Sequence, residues 1–420
     1  MVILKKCGSR RIGIVLAIAA VTTSLFAQSE SKFNFYGFAD MSITKYFPKE
    51  ESMVRSVYRM DEKTHFNLNH INLYGSFQPN NRLRFLTELS FQEKPVFDAP
   101  VNGVIYKMPP LLDTVFTEPA LAPKNKVQRG IVMYEWGSFS VERALFSVFL
   151  NRYFNLSFGK FITPAGIWNV DHGSPVIMTI DQPSQYSYAE IYPKSQLGIM
   201  EEGTAFIGDA DMSYSVYLSS GRDDQPIYKP NDLSVGGQLR FGLPVLDELR
   251  IGLSGYTGRI NTRLRSMIMD YEGIEYIDDI LFLYRENIIG GDVRLSINPL
   301  TIQAEVNYSR CTDYLNDDST FGTLGTYVLG SVDIFKKENF SITPYAFYEY
   351  VKYIDPLNNP TMDPMMASDG YHKFMGGVNF SAFTNYGIKV EYNFTRLLLG
   401  DDPDKLNDVS GIASQFYIAF

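Results

Sequence analysis

Cysteine is nearly missing: the 420 residues hold two, Cys7 and Cys311. Cys7 lies ahead of the first apolar run, so only Cys311 belongs to the body of the chain, and a disulfide-built scaffold is excluded. Histidine is scarce as well, with four. His65 and His70 stand five apart, on opposite faces of a regular strand, and so do not chelate one ion. Long hydrophobic runs are absent after residue 27; none approaches the 18 or so apolar residues of a membrane helix. Positive charge is in deficit, with 38 Lys and Arg against 47 Asp and Glu and a net charge of −9. A nucleic-acid binder needs a basic footprint, so that class is excluded too.

What the chain does have is aromatic and alternating. It carries 28 Tyr and 30 Phe, a stock that a membrane barrel sets in interfacial girdles and on its lipid face. In the last ten residues, Ile412, Phe416, Ile418 and Phe420 share one parity, interrupted by Ser414, and Ala413, Gln415, Tyr417 and Ala419 share the other. Side chains alternate faces along a strand, so this segment is apolar on one side and smaller or more polar on the other. About ten such residues, tilted, cross a hydrocarbon layer. The segment resembles the C-terminal signal by which bacterial outer-membrane proteins are recognised for assembly, with Phe416, Ile418 and Phe420 as the signal residues.

At the other end, Lys5, Lys6, Arg10 and Arg11 precede an apolar run from Ile12 to Val21 and a small residue at Ala27. This reads as a cleaved export signal over residues 1–27, with Leu25 larger than usual at its position. Its removal leaves 34 basic against 47 acidic residues, or −13. The expected domains are therefore the signal, 1–27, and one β-barrel, 28–420.

Connection lengths sort into two kinds. Turn-like connections fall at Gln78 to Asn81, Asn151-Arg152, Gly208 to Asp211, Leu243 to Glu248, Asn298-Pro299, Lys336 to Asn339 and Thr384-Asn385. Longer polar stretches fall near 94–129, 163–195, 222–231, 259–280, 311–322, 353–371 and 398–410. The two kinds alternate, which a membrane barrel with short periplasmic turns and long outer loops requires and a sandwich does not. Counting between them predicts an all-β, antiparallel transmembrane barrel of about 16 strands, wide enough for an aqueous channel.

Two strands show the faces. Ile302, Ala304, Val306 and Tyr308 alternate with Thr301, Gln303, Glu305 and Asn307; Ile388, Val390, Tyr392 and Phe394 alternate with Lys389, Glu391, Asn393 and Thr395. Charge on the lipid side costs about 2–4 kcal/mol per Arg or Lys near the midplane, so the charged face is expected to look inward. The expected pore-lining residues are Arg82, Arg84, Glu88, Arg240, Asp292, Arg294, Glu305, Lys389 and Glu391, with Asp40 beside them. Residues 144–150 are apolar on both parities, as a strand is where its inner face meets an inserted loop, where a subunit covers it, or where a bulge intervenes.

The most distinctive internal segment is Asn155 to Pro175, with Gly159-Lys160-Phe161-Ile162-Thr163-Pro164-Ala165-Gly166 at its head. A strand carrying Gly-Lys-Phe that enters a Thr-Pro-x-Gly loop resembles Gram-negative porins of the phosphate-selective porin O and P superfamily. The resemblance implies a passive, trimeric channel in the outer membrane, with the third outer loop folded into the lumen as a constriction. By position that loop is 163–195, with Trp168, Asp171, His172 and Asp181 as constriction candidates. Phosphate selectivity in that group depends on inward Arg and Lys, which here are offset by inward acids. The expected function is passive diffusion of small hydrophilic solutes or ions, with an anion- or phosphate-selective pore and a closed structural or adhesive barrel as alternatives.

No cofactor, metal or catalytic group is expected. His172 beside Asp171 reads as a loop histidine, and the acids at 313–318 and 400–404 lack the spacing of a calcium loop. A lipase-like Ser and His pair is not marked by local sequence. The expected partners are membrane lipid, lipopolysaccharide, the barrel-assembly machinery, small solutes and two further copies of the chain, with no nucleic acid.

Overall fold

The computed structural model describes residues 32–48, 64–92, 99–101, 104–106, 138–171, 173–187, 191–222, 233–270, 273–314, 319–355, 369–383, 385–398 and 408–420. The proposed signal, 1–27, lies outside them. In chain order the strands are β1 (Phe33–Pro48), β2 (Thr64–Asn80), β3 (Leu83–Gln92), β4 (Ala99–Val101), β5 (Val104–Tyr106), β6 (Ser138–Asn151), β7 (Phe154–Ile162), β8 (Ser195–Ile207), β9 (Ala210–Ser219), β10 (Ser234–Leu243), β11 (Glu248–Asp270), β12 (Gly273–Ile297), β13 (Leu300–Asp313), β14 (Ser319–Val332), β15 (Phe335–Lys337), β16 (Phe340–Ile354), β17 (Gly370–Ala382), β18 (Tyr386–Leu398) and β19 (Asp408–Ala419). One helical turn, α1 (Ser184–Ser187), interrupts the loop between β7 and β8.

Seventeen of these strands form one sheet. Since β15 is a three-residue piece paired only with β16, the wall is a ring of sixteen. Every wall strand is antiparallel to its two neighbours, and β1 pairs with both β2 and β19, which closes the barrel. Closure gives every wall strand two partners and leaves no open edge for the hydrocarbon layer to desolvate. The hairpin of β4 and β5 forms a separate two-stranded sheet.

The tight connections lie together at one end. Asn80 and Asn151 each place a side-chain oxygen on the amide two residues on, Arg82 N at 2.9 Å and Tyr153 N at 2.8 Å, the local bond that makes Asn a turn former. Gly208 takes φ 63° at the head of the next turn, a conformation open to glycine. At the other end one expected loop is absent: residues 259–280 are mostly strand. β11 and β12 run 23 and 25 residues and stay paired out to Asp270↔Gly273. The polar residues there were legible as loop composition, but a paired ribbon beyond the bilayer has no lipid face and needs no apolar alternation.

Polarity is inverted relative to a soluble protein. Glu305 is 2% exposed while its neighbour Val306 is 48% exposed, and Lys389 and Glu391 are fully buried while Val390 between them is 44% exposed. In β19, Ile412 and Phe416 point outward and Ala413, Gln415 and Tyr417 inward. Outward aromatics cluster at both ends. Phe77, Phe85, Phe146 and Phe158 form a row near the tight turns, with centroids 6.2, 4.8 and 6.4 Å apart. Tyr348, Phe374 and Phe394 form another near the long loops, at 4.7 and 6.4 Å. These are the girdles of a membrane barrel.

Two bulges correct the expected register. Asp40 pairs with His70 but Met41 pairs with Leu68, so Asn69 is an extra residue on β2. His65 and His70 consequently share the inner face, opposite Thr44 and Asp40. Four residues of strand separate them, roughly 13 Å, still too far for one ion. On β6, Glu88 pairs with Arg143 and Leu89 with Val141, leaving Glu142 as the extra residue. Leu145, packed inward against a buried cluster, and Phe149, beneath the inward Arg84 guanidinium, account for the lost alternation over 144–150.

Candidate functional site

The loop between β7 and β8 folds inward across the barrel. Its two stems are tied at the wall: Thr163 N donates to Lys194 O at 3.0 Å, and Asn169 Nδ2 donates to Thr163 O at 2.6 Å and Lys194 O at 3.3 Å. Pro164 and Gly166 then turn the chain into the lumen. Gly166 has φ 56°, and a Cβ there would collide with the Tyr186 hydroxyl and the Glu305 carboxylate. Glycine is required on both counts.

From there the wall receives the loop mainly through its backbone. Glu305 on β13 accepts from Ile167 N at 2.5 Å and Trp168 N at 3.0 Å, and from the hydroxyls of Tyr327, at 2.7 Å, and Tyr186. Glu391 on β18 accepts from Ile180 N at 3.0 Å and Tyr345 Oη at 2.8 Å; Glu349 on β16 accepts from Gln185 N at 3.0 Å. Lys389 donates to Ser174 O at 2.8 Å and Thr179 O at 3.1 Å, and Arg240 on β10 donates to Gly166 O. A buried charge is tolerated when its hydrogen bonds are met, and these backbone groups meet most of them, with Glu349 Oε2 and Glu391 Oε1 left without a hydrogen-bond partner among the described residues. Arg222, just beyond β9, fixes the far side, with bonds to Glu286 at 2.9–3.1 Å and to Ile191 O at 2.7 Å.

Apolar packing adds to the polar clamps. Phe161, Ala165, Ile191 and Tyr192 join Met200, Tyr217, Tyr256 and Ile288 in one cluster; Trp168, Ile177 and Tyr186 join Tyr327, Leu329, Tyr345, Phe347 and Met375 in a second. Burial, and then the Glu305 charge, push the Tyr186 hydroxyl well above its ordinary pKa. Tyr192 is pushed up to about 12, chiefly by burial. Both phenols keep their protons at physiological pH.

The expected site residues divide accordingly. Asp40, Asp292, Glu305, Lys389 and Glu391 do face inward, but they contact the loop or other wall residues. Asp40 accepts from Ser174 Oγ and lies 3.2 Å from His70 Nδ1, and Asp292 lies 3.9 Å from Arg240. In that Ser, Asp, His group the carboxylate stands between the other two, so the imidazole is not placed as a base for Ser174. Glu88 is buried and accepts from Arg143 Nε at 2.5 Å, Tyr74 Oη at 2.6 Å and Asn72 Nδ2 at 2.9 Å. Arg294 is inward near the tight turns, 3.7 Å from Glu248. Arg82 is a correction: it occupies the exposed turn before β3, not the inner face. Trp168 is buried in the second cluster, Asp171 is half-buried, and Asp181 meets Lys373 at 3.2 Å. His172 lies outside the described residues, as do 317–318 and 400–404, whereas Asp313 is buried at the outer end of β13 and not solvated.

Arg143 and Glu349 did not emerge from the sequence. The bulge at Glu142 hides Arg143 from an alternation count, and Glu349 sits between Tyr348 and Tyr350, where parity alone would have found it. Beside the loop stem, the inner faces of β3 and β6–β10 border an open cavity of about 380 Å³, lined by Arg84, Arg143, Arg240 and Glu202 with Phe161 and Met200 among its apolar members.

No family model matches the chain, and neither does any curated protein sequence. Solved structures do match in fold. OmpT of Vibrio cholerae in its trimer form superposes with a TM-score of 0.54 at 11% identity, over 92% of this chain and 99% of that one. An anion-selective porin from Comamonas acidovorans gives 0.55 at 8% identity, over 92% and 99%. OprB of Pseudomonas putida gives 0.56 at 8% identity, over 96% and 97%. At this identity the likeness is one of architecture: the chain is a closed sixteen-strand transmembrane β-barrel with the fold of outer-membrane porins.

Proposed function

We propose that this protein is an outer-membrane porin, passing small hydrophilic solutes passively through a water-filled lumen narrowed by the loop 163–195. The observation that carries this reading is the inverted barrel, with Lys389 and Glu391 inside and Val390 outside on the same strand. The proposal includes export directed by residues 1–27, recognition by the assembly machinery through Phe416, Ile418 and Phe420, and lipopolysaccharide around the outer girdle. Association in threes is part of it, supported by the trimer form of the OmpT structure. The Gly-Lys-Phe and Thr-Pro-x-Gly segment supports a place near the phosphate-selective porin O and P group, without carrying phosphate as the solute.

Charge inside the lumen favours anions more than a count of inward residues suggests. Glu305, Glu349 and Glu391 are engaged by the loop and Glu88 by Arg143, whereas Arg84 borders the open cavity with its Nε unmet among the described residues, and Arg240 borders it while bonded to Gly166 O. Single-channel recording of the refolded chain in a planar bilayer tests the reading. Stepwise conductance is expected, with a reversal potential on the anion side that moves toward cations when Arg84 and Arg240 are both replaced by Gln. A verified, inserted barrel that passes no current would refute the porin.

A further inference from the structure

We infer that the cavity beside the loop stem is a binding site for small organic monoanions that carry an apolar group, an aromatic carboxylate being the simplest example. This deepens the porin reading and rests on it, by naming the class of solute that the pore would retain in passage.

The unmet donors of the cavity select an anion. Three guanidinium groups line it, from Arg84, Arg143 and Arg240, with one carboxylate, Glu202, while Glu88 and Asp292 stand behind Arg143 and Arg240. Arg143 is already bonded to Glu88, and Arg240 gives one nitrogen to Gly166 O. Arg84 differs. Its Nε is buried without an acceptor among the described residues, and its guanidinium lies over the Phe149 ring at 5.1 Å. The Nε of Arg240 is likewise buried without a hydrogen-bond acceptor, with Asp292 no nearer than 3.9 Å. A buried donor left unmet is costly, and a carboxylate is the acceptor that a guanidinium fork matches best.

The other half of the cavity is apolar. Leu86, Leu145, Phe161 and Met200 line it, and Phe161 and Met200 belong to the cluster that packs the loop stem. A hydrated inorganic ion gains nothing from such a surface and must shed water to approach it. A ring or branched chain gains about 25 cal/mol for each Å² of apolar area it covers. The volume, about 380 Å³, falls at the lower end of small-molecule sites and exceeds what a bare phosphate would fill. Ser157 and Gln238 supply polar groups at the same wall for further substituents.

The test is titration calorimetry on the refolded full chain in detergent micelles, with benzoate, benzyl alcohol and inorganic phosphate as probes and empty micelles as the blank. Benzoate block of single-channel current is recorded in parallel. Saturable benzoate binding is expected, at least about tenfold tighter than either benzyl alcohol or phosphate, the factor that one charge-assisted bond supplies. Arg84→Gln should weaken it by about the same factor. Leu86→Asn should weaken benzoate while leaving the smaller acetate unchanged. Equal affinity for the three probes, or benzoate binding indifferent to Arg84→Gln, overturns the inference. Conductance without benzoate binding removes this site and leaves the porin. Binding without conductance keeps the site and removes the porin.

Discussion

Replacing Glu305 with alanine should free the head of the inward loop and raise single-channel conductance, with rapid flicker as the loop moves. This carboxylate is 2% exposed and serves two backbone amides and two tyrosine hydroxyls. Its removal strands four buried donors, each at about 1–3 kcal/mol unless water reaches it. The barrel itself should survive, since its strand ladders do not involve this side chain. Heat-modifiable migration on gels would therefore stay as in the wild type while proteolysis between residues 163 and 195 accelerates. Glu305→Gln keeps an acceptor but loses the charge, and an intermediate conductance is expected. Traces of the alanine variant identical to the wild type would mean that the clamp does not limit the passage.

The second large effect concerns the outer face. Val390→Arg should destabilise the barrel in lipid vesicles by about 2–4 kcal/mol, the cost of a cation near the bilayer midplane. The prediction is sharp because Lys389, one residue away, already holds a basic side chain in complete burial. There its Nζ finds Ser174 O and Thr179 O; residue 390 is 44% exposed on the outer face, beside Val378 and Ser414 of the neighbouring strands. Reversible urea titration of folding into vesicles measures the difference. A loss below about 0.5 kcal/mol, the level of an ordinary surface change, would show that this face is not against lipid.

The strand pattern was legible because its cause is local. A side chain on a strand faces lipid or lumen by parity, so Ile302 to Tyr308 and Ile388 to Phe394 declare both their conformation and their orientation. The tight turns were equally plain, since Asn80, Asn151 and Gly208 are chosen for bonds or dihedral angles within two residues. What failed was whatever depends on a residue more or less. The extra Asn69 turns His65 to the same side as His70, and the extra Glu142 conceals Arg143. The roles of the inner acids were illegible for another reason. Their partners are main-chain amides from Ile167 to Gln185, more than 100 positions away in sequence, and no side-chain pattern records that pairing.

That choice of partner has a consequence for how such a channel can change. The wall holds the loop by Gly166 O, Ile167 N, Trp168 N, Ser174 O, Thr179 O, Ile180 N and Gln185 N, groups that every amino acid supplies in kind, proline's missing amide aside. Side chains of the loop that neither pack in the two clusters nor bond the wall, unlike Asn169, Ser174 or Tyr186, are thereby released from the task of seating it. Mutation can rewrite them, and with them the preference of the pore, while the frame that presents them stays in place. The barrel behaves as a socket for an exchangeable insert, and selectivity becomes a property that selection can tune without renegotiating the fold.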